Sequence, residues 1–132
     1  MTYSYPPPTP SDNLPILQKM TEAYKLWHGF LPYFPRLSKY TLGARIDAIF
    51  TEILELLLLA KYSDKTNKPL LVNKAIAKLD SLKFFLQIAW EIKVLDNKKF
   101  THLSQPLVEI GRMLGGWRKQ LQKETPLNRR GE

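Results

Sequence analysis

The sequence contains no cysteine, and only two of its 132 residues are histidine. Without thiols, the chain cannot have a disulfide framework, a thiolate zinc site or thiol-based catalysis. Neither His28 nor His102 has a histidine or carboxylate at the helical spacing that metal ligands use, so we interpret both as surface or boundary residues. The composition therefore predicts no metal site and no cofactor.

Long apolar runs are also missing. The longest, residues 53–60, is interrupted by Glu55 and is too short to cross a bilayer. No N-terminal segment has the basic-then-apolar layout of a secretory signal. Together with the lack of cysteine, these features predict a soluble cytoplasmic protein without a membrane partner.

The motifs of common enzymes are absent as well. The sequence has no GxGxxG motif and no P-loop, and the "LGG" of residues 114–116 does not follow a strand. Glu52 and Glu55 resemble a carboxylate pair, but a solvated helix face explains them better. We therefore expect a protein that is not an enzyme.

Positive charge is concentrated in the second half of the chain. The net charge is +8; residues 1–60 hold five basic and five acidic side chains, so residues 61–132 hold the other 15 basic and seven acidic ones. A basic half of this kind attracts polyanions, of which nucleic acid is the commonest and an anionic membrane surface the second. A solvated surface that only aids solubility is the alternative interpretation.

Apolar residues recur with helical period in four segments, residues 15–30, 41–62, 69–93 and 96–123, and none alternates with period two. Thr41 can cap the second helix, and Pro69 suits the first turn of the third. Pro106 predicts a kink or a broken turn near residues 101–105. The fold prediction is all-α: an antiparallel up-and-down four-helix bundle over residues 14–123, between a disordered proline-rich arm (1–13) and a flexible basic tail (124–132).

The fourth helix has the sharpest pattern. Its apolar seam consists of Phe100 and six further residues, Leu103, Leu107, Ile110, Leu114, Trp117 and Leu121. Three cations lie on the opposite side of the helix: Arg112, Lys119 and Lys123. Such cations can contact phosphates without reading bases. The predicted nucleic-acid-binding residues of the whole chain are Arg36, Arg45, Lys74, Lys78, Lys83, Arg112, Arg118, Lys119 and Lys123.

Two helices carry more apolar surface than a monomeric bundle needs. In the third helix Phe84, Ile88 and Ile92 face away from its main apolar side, and the second helix leaves only a narrow polar stripe around Asp47, Glu52 and Glu55. A second apolar face predicts a homo-oligomer, unless the first helix or the arm covers it. The predicted interface residues are Leu56, Phe84, Ile88, Ile92, Gly111 and Gly115.

Two motifs resemble those of a known family. "FPRLSKYTLGARI", residues 34–46, and "EIGRMLGGWRK", residues 109–119, are similar to motifs of the accessory variability determinant proteins of diversity-generating retroelements. These belong with the four-helix proteins encoded in intervening sequences of bacterial 23S ribosomal RNA genes. The resemblance covers about residues 27–121, and "GR-L-GW" is its more specific signature.

The resemblance implies a non-catalytic accessory subunit. Members form a pentameric, basic barrel of four-helix bundles that binds the retroelement's reverse transcriptase and RNA or DNA in support of mutagenic retrohoming, and a basic position of their third helix matches Lys83. The alternative is a protein-interaction module of the ribosomal intervening-sequence type without a retroelement role. Docking of an amphipathic bundle to an anionic membrane is the least favoured alternative, because the apolar faces are assigned to core and interface.

Overall fold

The computed structural model describes residues 14–124, and this part of the chain is helical throughout apart from its turns. The four long helices are α1 (Leu14–Phe30), α2 (Ala44–Tyr62), α3 (Lys68–Glu91) and α4 (Asn97–Glu124). Residues 14–124 contain no strand, so the predicted all-α four-helix fold is confirmed. The predicted arm, residues 1–13, and residues 125–132 of the predicted tail lie outside the described part of the chain.

The helices form a ring around a single core. Helix α2 packs against α3, α3 against α4, α4 against α1, and α1 against α2. Short turns join α2 to α3 and α3 to α4, so these helices run antiparallel. Helix α1 runs antiparallel to α4, because Lys19 near its start lies beside Glu109 and Phe30 at its end lies beside Lys99 in the first turn of α4. The six α4 residues predicted to follow Phe100 in the seam are all buried. The main apolar side of α3 is buried as well, through Val72, Ala75, Leu79, Leu82, Leu86 and Ala89.

The connection between α1 and α2 is itself helical. A 3-10 turn (Leu31–Tyr33) leads to a short α-helical turn (Arg36–Ser38) and a π-helical turn (Lys39–Gly43), which continues into α2. The Thr41 hydroxyl donates a hydrogen bond to the Leu37 carbonyl at 2.8 Å. The prediction that Thr41 caps the helix was wrong, since the residue lies inside a continuous helical path and bonds back to the preceding turn.

The α3–α4 turn depends on Lys93, which has a left-handed backbone with φ of 67°. The Val94 amide donates to the Ala89 carbonyl at 2.8 Å and the Lys93 amide to the Trp90 carbonyl at 3.0 Å. This pair of bonds is the Schellman motif that commonly ends a helix, with lysine where glycine is usual. The chain is thereby directed into buried Leu95 and the start of α4.

Helix α4 begins with a capping aspartate and contains a proline. The Asp96 carboxylate accepts a hydrogen bond from the Lys99 amide at 2.8 Å. Pro106 lies inside the helix, which runs from Asn97 to Glu124 as one α-helix. The predicted broken turn is therefore wrong. His102, four residues earlier, is exposed, so water can solvate the carbonyl that Pro106 leaves without a donor.

Candidate nucleic-acid interface

The outer face of α4 carries a row of exposed cations. Arg112, Lys119 and Lys123, which we call the α4 outer stripe, are all exposed, whereas Leu114 and Trp117 are buried on the opposite face. The stripe spans 11 residues, or about 17 Å at the helical rise. One strand of a B-form duplex carries about five phosphates over that length. The stripe therefore has the charge and the length to follow a nucleic-acid backbone.

Few carboxylates oppose this charge. Within residues 14–124, no carboxylate lies at ion-pair distance from any residue of the α4 outer stripe or from exposed Arg118. Glu109 is on the same helix, but its carboxylate lies 3.4 Å from the Lys19 ammonium of α1. The stripe therefore keeps its positive charge.

The five other predicted cations lie on α3, on α2 and in the α1–α2 connection, and their surroundings differ. Lys74 and Arg36 are exposed. The Lys78 ammonium lies 2.9 Å from the Glu52 carboxylate and forms an ion pair with it. The Arg45 guanidinium lies over the Phe85 ring, 5.8 Å from its centre. Lys78 and Arg45 thus help to join α2 to α3.

Lys83 is the predicted cation that connects α3 with α4. Its ammonium lies 3.8 Å from the Asp80 carboxylate and 3.6 Å from where a side chain at Gly111 would begin. A methyl group at Gly111 would also meet Leu79 at an ordinary contact distance of 3.6 Å. Gly111 therefore faces α3 of its own chain, and Lys83 lies beside the α4 backbone.

The predicted interface residues also differ in exposure. Phe84 and Ile92 are 58% and 56% exposed, and Ile88 is half-buried. These three residues, which we call the α3 outer face, form an apolar surface that the described residues leave open. Leu56 is half-buried and packs against the core. Gly115 has no atom of another element within 4 Å of where its side chain would begin.

Asp47 does not belong to a solvated stripe, contrary to the sequence interpretation. The Tyr24 hydroxyl and the Trp27 ring nitrogen donate to the same Asp47 oxygen at 2.9 and 3.1 Å. Burial raises the pKa of Tyr24, and the hydrogen bond and negative charge of Asp47 raise it further. Trp27 is fully buried, so Asp47 supplies the acceptor that its N–H needs and joins α2 to α1.

Exposed aromatic rings and cations meet where α1 ends and α4 begins. The Lys99 ammonium lies 5.0 Å from the centre of the Tyr33 ring and 5.6 Å from that of Phe30. Sequence reasoning missed this contact. The two lysines after Asp96 and the tyrosines of "YFPRLSKY" were available signals, but only the fold places the two segments together.

The described residues offer little for metal or cofactor binding. Within residues 14–124, no three histidine, cysteine or acidic side chains cluster as metal ligands would. One open groove between α1 and α4 is lined by residues including Leu26 and Pro106. Over the same residues, no helix combines the length and hydropathy needed to cross a membrane. A surface interaction is the function that this geometry suits best.

A family model of bAvd-like proteins matches residues 14–121, which is nearly all of the described bundle. The chain belongs to the bAvd-like family. The resemblance to accessory variability determinant proteins is therefore confirmed, and the family is of an accessory, non-catalytic type. A four-helix bundle is also compatible with the ribosomal intervening-sequence relatives. No curated protein matches the chain.

The two motifs have different structural roles in this bAvd-like chain. The first places Phe34 in the core, where its ring meets the Trp27 ring edge-on with centres 5.3 Å apart, and it contains Gly43 of the π-helical turn. The second supplies buried Leu114 and Trp117. It also contains Arg112 and Lys119 of the α4 outer stripe, so one short segment contributes to both core and surface.

Proposed function

We propose that this protein is a non-catalytic accessory subunit of a diversity-generating retroelement. It binds template RNA or complementary DNA, together with the reverse transcriptase, through its basic surface. The observation that carries the proposal is the α4 outer stripe: three exposed, uncompensated cations, of which Arg112 and Lys119 lie in the signature segment of a bAvd-like chain and Lys123 lies one turn beyond it. Contacts of this type position a protein on a phosphate backbone without reading its sequence.

The proposal includes self-association through the α3 outer face, with the pentamer of the family as the expected assembly. Exposed rings and branched side chains such as Phe84 and Ile92 are typical of subunit interfaces, because water contact with them is unfavourable. A ring of subunits would repeat the α4 outer stripe several times. Repeated weak phosphate contacts then combine into tighter binding.

The nucleic-acid part is tested by titrating labelled RNA and duplex DNA with the variant Arg112→Gln, Lys119→Gln, Lys123→Gln at several salt concentrations. A phosphate contact contributes about 0.7 to the salt slope on a single strand and about 0.9 on a duplex. Losing all three should lower the slope by about two on a single strand and by nearly three on a duplex, and weaken binding at low salt.

The control variant removes the same charge elsewhere through Lys25→Gln, Lys61→Gln and Lys65→Gln. Either triple change lowers the net charge from +8 to +5. If the cations of α4 contact phosphates specifically, the control variant should bind nucleic acid more tightly than the stripe variant. An equal loss of affinity in both variants would show that only the net charge matters. A wild-type affinity that does not depend on salt would refute the mechanism.

Self-association is tested by light scattering on the wild type and on Phe84→Glu. The expected wild-type mass is about 77 kDa, five times the 15.4 kDa of one chain. The Phe84 variant should shift toward the single-chain mass, because an interface must then bury an unpaired carboxylate. Leu58→Glu, at an α2 residue of 46% exposure, is the matched control. A wild-type monomer at micromolar concentration would refute the assembly.

Binding to the reverse transcriptase is tested by retention on an immobilised reverse transcriptase after nuclease treatment. The wild type should be retained in molar excess over the bait, as expected for an oligomer. The Arg112, Lys119 and Lys123 variant separates two roles of the stripe. If this variant loses RNA binding but is still retained on the reverse transcriptase, its three cations contact nucleic acid alone. If the wild type is not retained, the partnership is refuted.

A further inference from the structure

The end of the bundle where α1 meets α2 exposes aromatic rings that the core does not need. Tyr33 is 76% exposed and Tyr40 is 71% exposed, and both lie in the helical connection between these helices. Rings of this size normally bury part of their apolar surface. Because these two tyrosines stay largely in water, they are available to a partner.

Cations surround the same end of the bundle. Lys99 lies against the Tyr33 ring, its neighbour Lys98 is exposed, and exposed Arg36 follows Tyr33 by three residues. Arg36 and Tyr40 are one helical turn apart, which places them on one side of the connection. Over residues 14–124, Arg36, Lys98 and Lys99 have no carboxylate within ion-pair distance.

We propose that this end surface, formed by Tyr33, Arg36, Tyr40, Lys98 and Lys99, binds single-stranded nucleic acid. Bases stack on the two tyrosine rings, and the three cations contact the phosphates on either side of the stacked bases. The inference rests on the proposed function and adds to it a second contact of a different kind. Exposed rings beside uncompensated cations form the usual platform for single strands.

The preference for a single strand follows from the rings. A base inside a duplex is stacked on its neighbours and presents only its edges, so an exposed tyrosine cannot lie against its face. An unpaired strand leaves those faces accessible. The α4 outer stripe, in contrast, contacts phosphates that both forms present. The end surface therefore distinguishes unpaired strands from duplexes, and the stripe does not.

The two surfaces are far enough apart to be separated experimentally. Lys99 lies in the first turn of α4, and Arg112, the stripe residue nearest to it, lies 13 residues further along the helix. At the helical rise this is about 20 Å. Substitutions at the end surface therefore leave the stripe unchanged.

The experiment measures the fluorescence anisotropy of labelled oligouridylate, oligodeoxythymidylate and a mixed-sequence DNA duplex with the variant Tyr33→Leu, Tyr40→Leu. Both single strands should bind roughly 10- to 100-fold more weakly, since stacking contributes at least several-fold for each base. The salt slope should stay the same, because no charge is removed. Duplex binding should also be unchanged.

Two control variants make the test specific. Tyr33→Phe, Tyr40→Phe keeps the rings and should bind like the wild type. Tyr62→Leu removes an equally exposed ring, 76%, at the other end of the bundle, where the Lys61 ammonium lies 5.2 Å from its centre. That variant should retain single-strand binding. Thermal unfolding by circular dichroism establishes that each variant is folded.

The outcomes separate this inference from the proposed function. Wild-type affinity of the leucine variant for both single strands overturns the inference, while a salt-dependent loss in the Arg112, Lys119 and Lys123 variant still supports the stripe. Equal loss from Tyr62→Leu, or equal loss on duplex DNA, also overturns it. Reduced retention on the reverse transcriptase without any change in single-strand binding assigns the tyrosines to the protein partner and overturns it as well.

Discussion

Replacing Gly43 by alanine should destabilise the bundle, although alanine is the better helix former. Gly43 is buried in the π-helical turn where the chain enters α2. An added methyl group would lie 2.8 Å from a terminal Leu31 carbon, 3.2 Å from the Ser38 carbonyl oxygen and 3.3 Å from a ring carbon of Phe34. All three contacts are shorter than ordinary van der Waals distances, so the surroundings must move.

The expected size of the effect follows from which neighbours can move. The Leu31 side chain can rotate, but the Ser38 oxygen belongs to the backbone, and the Phe34 ring is held in the core against Trp27. Overpacking of this kind costs about 1–3 kcal/mol. Alanine recovers roughly 1 kcal/mol of helix propensity. Because two of the three neighbours cannot move, the upper part of the overpacking range applies, about 2–3 kcal/mol. We therefore expect a net loss of about 1–2 kcal/mol in the free energy of unfolding.

Urea unfolding followed by circular dichroism measures this difference, with Gly116→Ala as the matched control. Gly116 is exposed and its added methyl group meets no atom within 4 Å, so that variant should gain about 1 kcal/mol. In a Leu31→Ala background the cost of Gly43→Ala should fall, because the shortest contact is removed. A Gly43→Ala variant as stable as the wild type would refute the steric reasoning.

Three further predictions concern the connections between helices. Asp47→Ala should cost about 1–3 kcal/mol by urea unfolding, since it leaves the buried Trp27 N–H without its acceptor; an unchanged midpoint would contradict this. Lys93→Gly should stabilise by up to about 1 kcal/mol through relief of the left-handed backbone, whereas Lys93→Ala should give no gain. The raised pKa of Tyr24 means that the folded state keeps its phenol proton above pH 10, where the unfolded chain loses it. Stability from Tyr24 should therefore be present below pH 10 and fall as the pH rises further, and the fall should be smaller in Tyr24→Phe.

The core could be predicted from the sequence because burial leaves a periodic signal in the chain itself. The spacing of Leu103, Leu107 and Ile110 places them on one side of a helix whatever the neighbours are, and all three are buried. The exposure of the α4 outer stripe follows from the same geometry. These predictions needed only the period of the helix.

Contacts between helices carried no comparable signal. Asp47 has the spacing of a solvated residue, and only the position of α1 beside it provides Tyr24 and Trp27 as donors. Lys78 has the spacing of an exposed cation, but Glu52 of α2 lies beside it. The sequence also lacks glycine at Lys93, where the turn adopts a left-handed backbone. In each case the partner or the backbone shape is set by the packing of whole helices.

Helix α4 contains three glycines, although glycine weakens a helix. Gly111, Gly115 and Gly116 each cost about 0.8–1 kcal/mol relative to alanine. A methyl group at Gly115 or Gly116 would meet nothing within 4 Å, and one at Gly111 would make only ordinary contacts, so packing within the described residues requires none of the three. Gly115 lies one turn beyond Gly111 on the same flank of the helix. Contact with a second chain would explain why these destabilising glycines are present, because a helix surface without side chains can be approached closely. Exposed Phe84 of α3 and Ile92, which directly follows α3, lead independently to the same expectation, and both observations favour the proposed assembly over an isolated bundle.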